Sequence, residues 1–178
     1  MKGVGEKLDD FNVVGVKPLF QTHEENGESA FETIDEKSFP NKWKILYFYP
    51  KDFTFICPTE ITGMDSLMSE VDVYGISGDN EYCKLAWKRE HEDLSKIEHI
   101  LLADRGLNLA EEVGVVDFDE GVCLRATFIL DAENVVKHVS CNELDTGRSA
   151  DEILRTLKAL KAGGLTGCEW KSGEEFVG

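Results

Sequence analysis

Pro50-Lys51-Asp52-Phe53-Thr54-Phe55-Ile56-Cys57-Pro58-Thr59-Glu60 is the stretch that decides the reading. It follows Ile45 to Tyr49, an apolar run that reads as a buried strand. It precedes a helical pattern over Thr59–Ser69, with Ile61, Met64, Leu67 and Met68 near one face. Cys57 therefore sits where a strand hands over to a helix. Pro58 suits the first helical position, where no backbone N–H is required. Unpaired N–H groups and the positive end of the helix dipole then face the sulfur. A thiol so placed tends toward the thiolate, which is the nucleophile. The ordinary role of an isolated cysteine is that of a small core residue. Here Thr54 lies three residues before Cys57 and Glu60 three after it. That polar, helix-opening setting argues for chemistry rather than packing.

Working outward, the order of elements is β-α-β-α-β-α-β-β-α. A strand over Lys44–Tyr49 leads through Cys57 into the first helix, and a strand follows at Val71–Ser77. Asn80–His91 reads as a helix, Ile100–Ala103 as a strand and Asn108–Val113 as a short helix. Ala126–Leu130 and Val135–Val139 flank Asp131-Ala132-Glu133-Asn134, a hairpin signal. The last helix opens at Ser149, with Glu152 three residues on as a capping box. Ile153, Leu154, Leu157 and Leu160 share one of its faces. This order implies an α/β class, a mixed central sheet flanked by helices.

The 178 residues fit one domain, long enough to bury roughly 70% of the unfolded surface. Nineteen basic and 35 acidic residues give a net charge of −16. That excludes a nucleic-acid or anionic-membrane partner as a first reading, since both need a basic footprint. No apolar N-terminal segment follows Met1-Lys2-Gly3 and no apolar run approaches a span. The expectation is a cytoplasmic protein. Cysteines stand at 57, 83, 123, 141 and 168, and none forms a C-x-x-C pair. Histidines 23, 91, 99 and 138 show no ligand spacing. Neither a metal nor a cofactor is expected. Free thiols with one or two chemical roles are. Cys83, Cys123 and Cys141 are expected in the core.

A helix dipole stabilises an anion by about 0.3–1 kcal/mol, less than the roughly 1.4 kcal/mol of one pKa unit. A neighbouring arginine is worth roughly 1–3 units to an acid beside it. Chemistry at Cys57 therefore needs a basic partner.

Pro50, Thr54 and Cys57 match the Pro-x-x-x-Thr-x-x-Cys signature of the peroxiredoxins. The longer run from Phe48 to Ile61 resembles the AhpC-type, two-cysteine branch of that family. Leu8 to Phe11, Arg125 to Asp131, Gly147 to Glu152 and Gly167 to Lys171 resemble further family segments, in the family's order. The resemblance implies a thioredoxin-like fold over residues 1–162, with a tail at 163–178. It implies a thiol-dependent peroxidase that reduces hydrogen peroxide and organic hydroperoxides. Cys57 would be the attacking thiol, Thr54 and Arg125 donors to the peroxide, and Pro50 a shield over the site. Arg148 would be a second cation, and Glu60 would hold both guanidinium groups. Cys168 would resolve the Cys57 sulfenic acid to a disulfide, attacking from a partner subunit. The family's resolving cysteine stands four residues before its tryptophan. Here that place is Thr166, and Cys168 stands two before Trp170, so Cys83 stays open as an alternative resolver.

The resemblance further implies a thiol reductant protein, thioredoxin-, AhpF- or AhpD-like. It implies a homodimer joined through strand Val135–Val139, closing into a decameric or dodecameric ring near Phe53, Phe55 and Trp87. Peroxide-sensitive relatives carry a Gly-Gly-Leu-Gly loop and an extra C-terminal helix. Here the loop region reads Glu92-Asp93-Leu94-Ser95-Lys96, and ten residues follow Cys168, so resistance to overoxidation is expected. A different class, a ring-forming chaperone-like holdase or thiol relay, would not need Thr54, Glu60, Arg125 and Arg148 together.

Overall fold

The structure is a computed structural model that describes residues 1–38 and 41–178. Seven strands form its main sheet: β1 (Asn12–Val16), β2 (Phe31–Asp35), β3 (Lys44–Phe48), β4 (Asp72–Ser77), β5 (Ile100–Ala103), β6 (Arg125–Leu130) and β7 (Val136–Asn142). Their order across the sheet is β7-β6-β3-β4-β5-β1-β2. The β3-β4-β5 centre is parallel and the pairs outside it are antiparallel. The helices are α1 (Cys57–Asp65), α2 (Glu81–Glu90), α3 (Asn108–Glu112) and α4 (Ala150–Ala162).

Every residue of β3 is buried, as a central strand covered on both faces must be. Alternation splits its side chains. Leu46 and Phe48 enter a core with Ile76, Leu102, Leu109 and Phe128, beside α3. Ile45, Tyr47 and Tyr49 enter the other core, with Cys57, Ile61 and Met64 of α1, Trp87 of α2, and Ile153 and Leu157 of α4. The apolar stripe read along α4 is thus the face that seals Cys57's side of the sheet. Ser149 caps this helix, its side chain accepting from the Glu152 amide.

The crossover half and the β6-β7 hairpin follow the order read from the sequence. The β1-β2 pair was not legible there. Gly15 interrupts the apolar run of β1. A side chain at Gly15 would press Ile100 and Ile34, 2.8 and 3.0 Å from the Cβ position, so close strand packing demands the glycine. The first helix also differs from its expected Thr59–Ser69. It opens at Cys57, places Pro58 second, and tightens to a 3₁₀ turn over Ser66–Ser69. Both leading positions lack an intrahelical N–H partner, so proline fits either.

Residues 163–178 carry no helix and fold back beside α4. Gly163 ends α4 in the left-handed region, at φ 74°. Trp170 is buried and stacks on Phe176, ring centroids 6.1 Å apart, and Val177 N donates to Leu165 O.

Candidate active site

Cys57 is the first residue of α1, fully buried beneath β6 and the turn before α4. The loop carrying it leaves β3 past Tyr49 and a half-buried Pro50. Phe53 adopts φ 56° there, a strained conformation for a bulky residue. Its ring leans on Trp87, 5.8 Å between centroids.

One cation reaches the sulfur. Arg125, first residue of β6, places Nη1 3.4 Å from Cys57 Sγ. The same Nη1 donates to Glu60 Oε2 at 2.5 Å, and Arg125 Nε donates to Leu144 O at 2.7 Å. Nη2 keeps no partner among the described residues. Arg148 is held from every side. Nε donates to Glu60 Oε1 at 2.8 Å, Nη1 to Ala126 O and Thr127 Oγ1 at 3.0 Å each, and Nη2 to Phe48 O at 2.5 Å. Glu60 is buried, and each of its oxygens meets one guanidinium. Two buried guanidinium side chains and one carboxylate thus lie beside Cys57 Sγ.

The structure thus brings Cys57, Glu60, Arg125 and Arg148 together. Thr54 is half-buried on the same loop, and its hydroxyl donates to Lys51 O at 2.8 Å rather than to Cys57. Cys168 is exposed on the tail, over the Arg155–Gly163 end of α4, and is not bonded to Cys57; all five cysteines are free thiols. The expectation of three core thiols holds for Cys123. Cys83 is only part-buried. Cys141 is exposed, because β7 is an edge strand and residue 141 points off the sheet face that α4 covers. Burial first, then Asp52 and Asp79, push the Cys83 thiol up to about 11.

Behind the arginines lies a polar string that the sequence did not reveal. The Arg148 guanidinium sits over the Tyr47 ring, 5.2 Å from its centroid. Tyr47 Oη lies 2.7 Å from His99 Nε2, and His99 Nδ1 lies 2.6 Å from Asp65 Oδ1 at the end of α1. Burial drives the Tyr47 hydroxyl well above its usual range, so it donates. Burial likewise holds His99 below its usual value, against the pull of Asp65. Burial raises the Asp65 carboxyl, but the hydrogen bonds from His99 and from the Glu98 and His99 amides outweigh it and keep it ionised. A neutral His99 with its proton on Nδ1 satisfies both neighbours. Gly75 on β4 makes room for this tyrosine, since a side chain there would collide with the hydroxyl. The only trace in the sequence was a tyrosine and a histidine in apolar runs.

Residues 4–139 match the AhpC/TSA family. Alkyl hydroperoxide reductase C of Mycolicibacterium smegmatis is 35% identical, over 98% of this chain and 92% of that protein. The chloroplastic 2-Cys peroxiredoxin BAS1 of Spinacia oleracea is 36% identical, over 98% of this chain and 71% of that protein. The solved structure of Mycobacterium tuberculosis AhpC superposes with a TM-score of 0.86 at 31% identity, covering 96% of this chain and 99% of that one. A buried thiol at a helix start, faced by a held arginine on a thioredoxin-like sheet, is the arrangement of a thiol peroxidase. The chain belongs to the AhpC/TSA family, the peroxiredoxins.

Proposed function

We propose that Cys57 is the peroxide-attacking thiol of this thiol-dependent peroxidase, with hydrogen peroxide and organic hydroperoxides as substrates. The observation that carries the assignment is Arg125 Nη1 at 3.4 Å from Cys57 Sγ, fixed there by Glu60. The thiolate attacks one peroxide oxygen, and the O–O electron pair leaves on the other. Cys57 becomes a sulfenic acid, and the leaving oxygen takes a proton to give water or an alcohol. Arg125 Nη2 is a donor available to the oxygens on which charge develops. Thr54 becomes a second donor once a peroxide replaces Lys51 O as its acceptor. Pro50 shields the sulfenic acid.

Cys168 then attacks the Cys57 sulfur, water leaves, and a disulfide forms. A thiol reductant protein, thioredoxin-, AhpF- or AhpD-like, reopens it. Two copies pair through the open edge of β7, as unpaired edges invite. Phe53 and Phe55, both exposed, suit a second contact that closes a ring of dimers. Sedimentation showing only monomer at micromolar concentration would remove both contacts.

Peroxide consumption with a thiol reductant tests the central reading. Cys57→Ser should keep the fold, being nearly isosteric, and lose turnover. Turnover above a trace in that variant would move the chemistry to another thiol.

A further inference from the structure

Beneath the Cys57 loop lies a second cluster that peroxide chemistry does not use. Asp52 comes from the loop itself, Asp79 follows β4, and Cys83 lies in the first turn of α2. One carboxylate oxygen of each aspartate and the Cys83 sulfur all lie within 4.8 Å of one another. The cluster is held in place. Asp79 Oδ2 accepts from Asp52 N and from Ser77 Oγ, both at 2.8 Å. Asp52 Oδ1 accepts from Tyr49 Oη at 2.8 Å and from Lys84 Nζ at 3.3 Å. Lys84 Nζ also donates to Ser77 Oγ at 2.5 Å.

Asp52 Oδ2 is the anomaly. It is buried and has no hydrogen-bond partner among the described residues. Buried carboxylate oxygens are ordinarily satisfied, and an orphan points to a missing partner. Oδ1 accepts from Tyr49, Lys84 and, at 3.4 Å, Ser77 Oγ, so Oδ2 is the ligand atom left free on a carboxyl that already lies within reach of Asp79 and of the Cys83 thiol, with which it shares a hydrogen bond.

We propose that Asp52, Asp79 and Cys83 bind a single zinc-class divalent cation, with water in its fourth position. The donor set selects the metal. A sulfur with two carboxylates suits zinc, whereas calcium and magnesium take oxygen alone. Zinc–sulfur and zinc–oxygen bonds of about 2.3 and 2.0–2.2 Å put tetrahedral donors roughly 3.5 Å apart. The observed spread closes to that with shifts under about 1 Å per donor. Asp79 and Cys83 are only part-buried, which gives the ion a route in from solvent. Binding would release the Cys83 thiol proton to solvent, since the thiolate is the form that ligates a metal. Histidine spacing could not have revealed this site, because its donors come from three separate segments.

The occupied site would tie Asp52, five residues before Cys57, to the start of α2. The test uses the reduced, full-length, metal-free protein, titrated with zinc against a chromophoric chelator and then with cobalt(II). One equivalent should bind per chain, and cobalt should show a thiolate-to-metal charge-transfer band. Replacing an outer partner of a metal ligand typically weakens binding roughly 10–100-fold, so Cys83→Ser should weaken it by more than about 100-fold and abolish the band. Asp79→Asn should weaken binding too. In the unmutated protein, zinc should slow alkylation of Cys83 and leave the exposed Cys141 unaffected, a readout that needs no variant to fold. Undiminished zinc binding in Cys83→Ser, or equal Cys83 alkylation with and without zinc, would overturn the site.

Discussion

Glu60 Oε2 sits 2.5 Å from Arg125 Nη1, and the pair fixes the only cation that reaches Cys57 among the described residues. The carboxylate's other oxygen holds Arg148, so one buried anion organises two buried cations. Removing it leaves uncompensated charge, which costs about 3–5 kcal/mol. Glu60→Gln should therefore lower the melting temperature by roughly 10 °C, at about 2–4 °C per kcal/mol for a chain of this size. It should also slow the peroxide step, because Arg125 loses its fixed position. Arg125→Met removes the donor itself and should slow that step by about 10²–10³-fold, the usual cost of one oxyanion donor. Stopped-flow measurement of the first turnover separates the two variants. An Arg125→Met enzyme of unchanged first-turnover rate would hand the electrostatic role to Arg148.

The resolving step discriminates between two thiols. Cys83 is part-buried, with its thiol pushed up to about 11, so little thiolate exists at neutral pH. Cys168 is exposed on a tail that turns back beside α4. One equivalent of peroxide on reduced protein should give a disulfide-linked dimer on a non-reducing gel. Mass spectrometry should map the bond to Cys57 and Cys168, and Cys168→Ser should abolish it. A bond mapped to Cys83 would show that two residues before Trp170 is the wrong place for the resolver.

Acid stability should depend on His99. Its buried imidazole titrates below its usual 6.5 in the fold, while the unfolded chain titrates near that value. As pH falls through 6.5 the unfolded state takes up the proton first, so stability is present above that pH and lost below it. His138, also lowered by burial, adds a term of the same sign. The melting temperature should fall between pH 7 and pH 5, and His99→Asn should flatten that slope while lowering stability at pH 7. A slope unchanged in His99→Asn would assign the acid sensitivity to other groups.

How far the sequence could be read follows from where each signal lives. Cys57, Thr54 and Pro50 lie within eight residues, and the turn that holds them has its own chemistry, so they were legible as a motif. The pattern of Ile153, Leu154, Leu157 and Leu160 was legible because one helix face repeats it. Arg125 and Arg148 came through family resemblance alone, for nothing local marks an arginine as buried. Tyr47, His99 and Asp65 stayed hidden because their partnership spans three elements. Lys84 stayed hidden for the opposite reason. A lysine on a helix reads as solvated, yet this one is fully buried against Asp52, Tyr49 and Ser77. Cys141 misled because a cysteine is ordinarily a buried residue, and only the sheet order shows that β7 is an edge.

Overoxidation is decided at the first turn of α1. On the proposed mechanism, the sulfenic acid of Cys57 either meets a resolving thiol or is struck by a second peroxide to give sulfinic acid. Reaching a distant thiol requires that turn to open. Ile56, before Cys57, offers no side-chain cap, and Pro58 contributes no N–H. What holds the turn is the Ile56 carbonyl, which accepts from Thr59 N at 3.0 Å, Glu60 N at 3.2 Å and Thr59 Oγ1 at 2.6 Å. Opening from Cys57 to Pro58 leaves Glu60 on its two arginines. It also leaves the far end pinned, since Asp65 accepts from the Glu98 and His99 amides at 2.8 and 3.1 Å. A small, locally bounded opening of this kind costs far less than global unfolding. Disulfide formation should therefore outrun the second oxidation. We expect turnover to persist at peroxide levels that inactivate sensitive relatives, with intact mass staying at the reduced and disulfide values. Thr59→Ala removes one tie to Ile56 and should speed disulfide formation further. Rapid accumulation of a two-oxygen adduct on Cys57 at low peroxide would refute the easy opening of this turn.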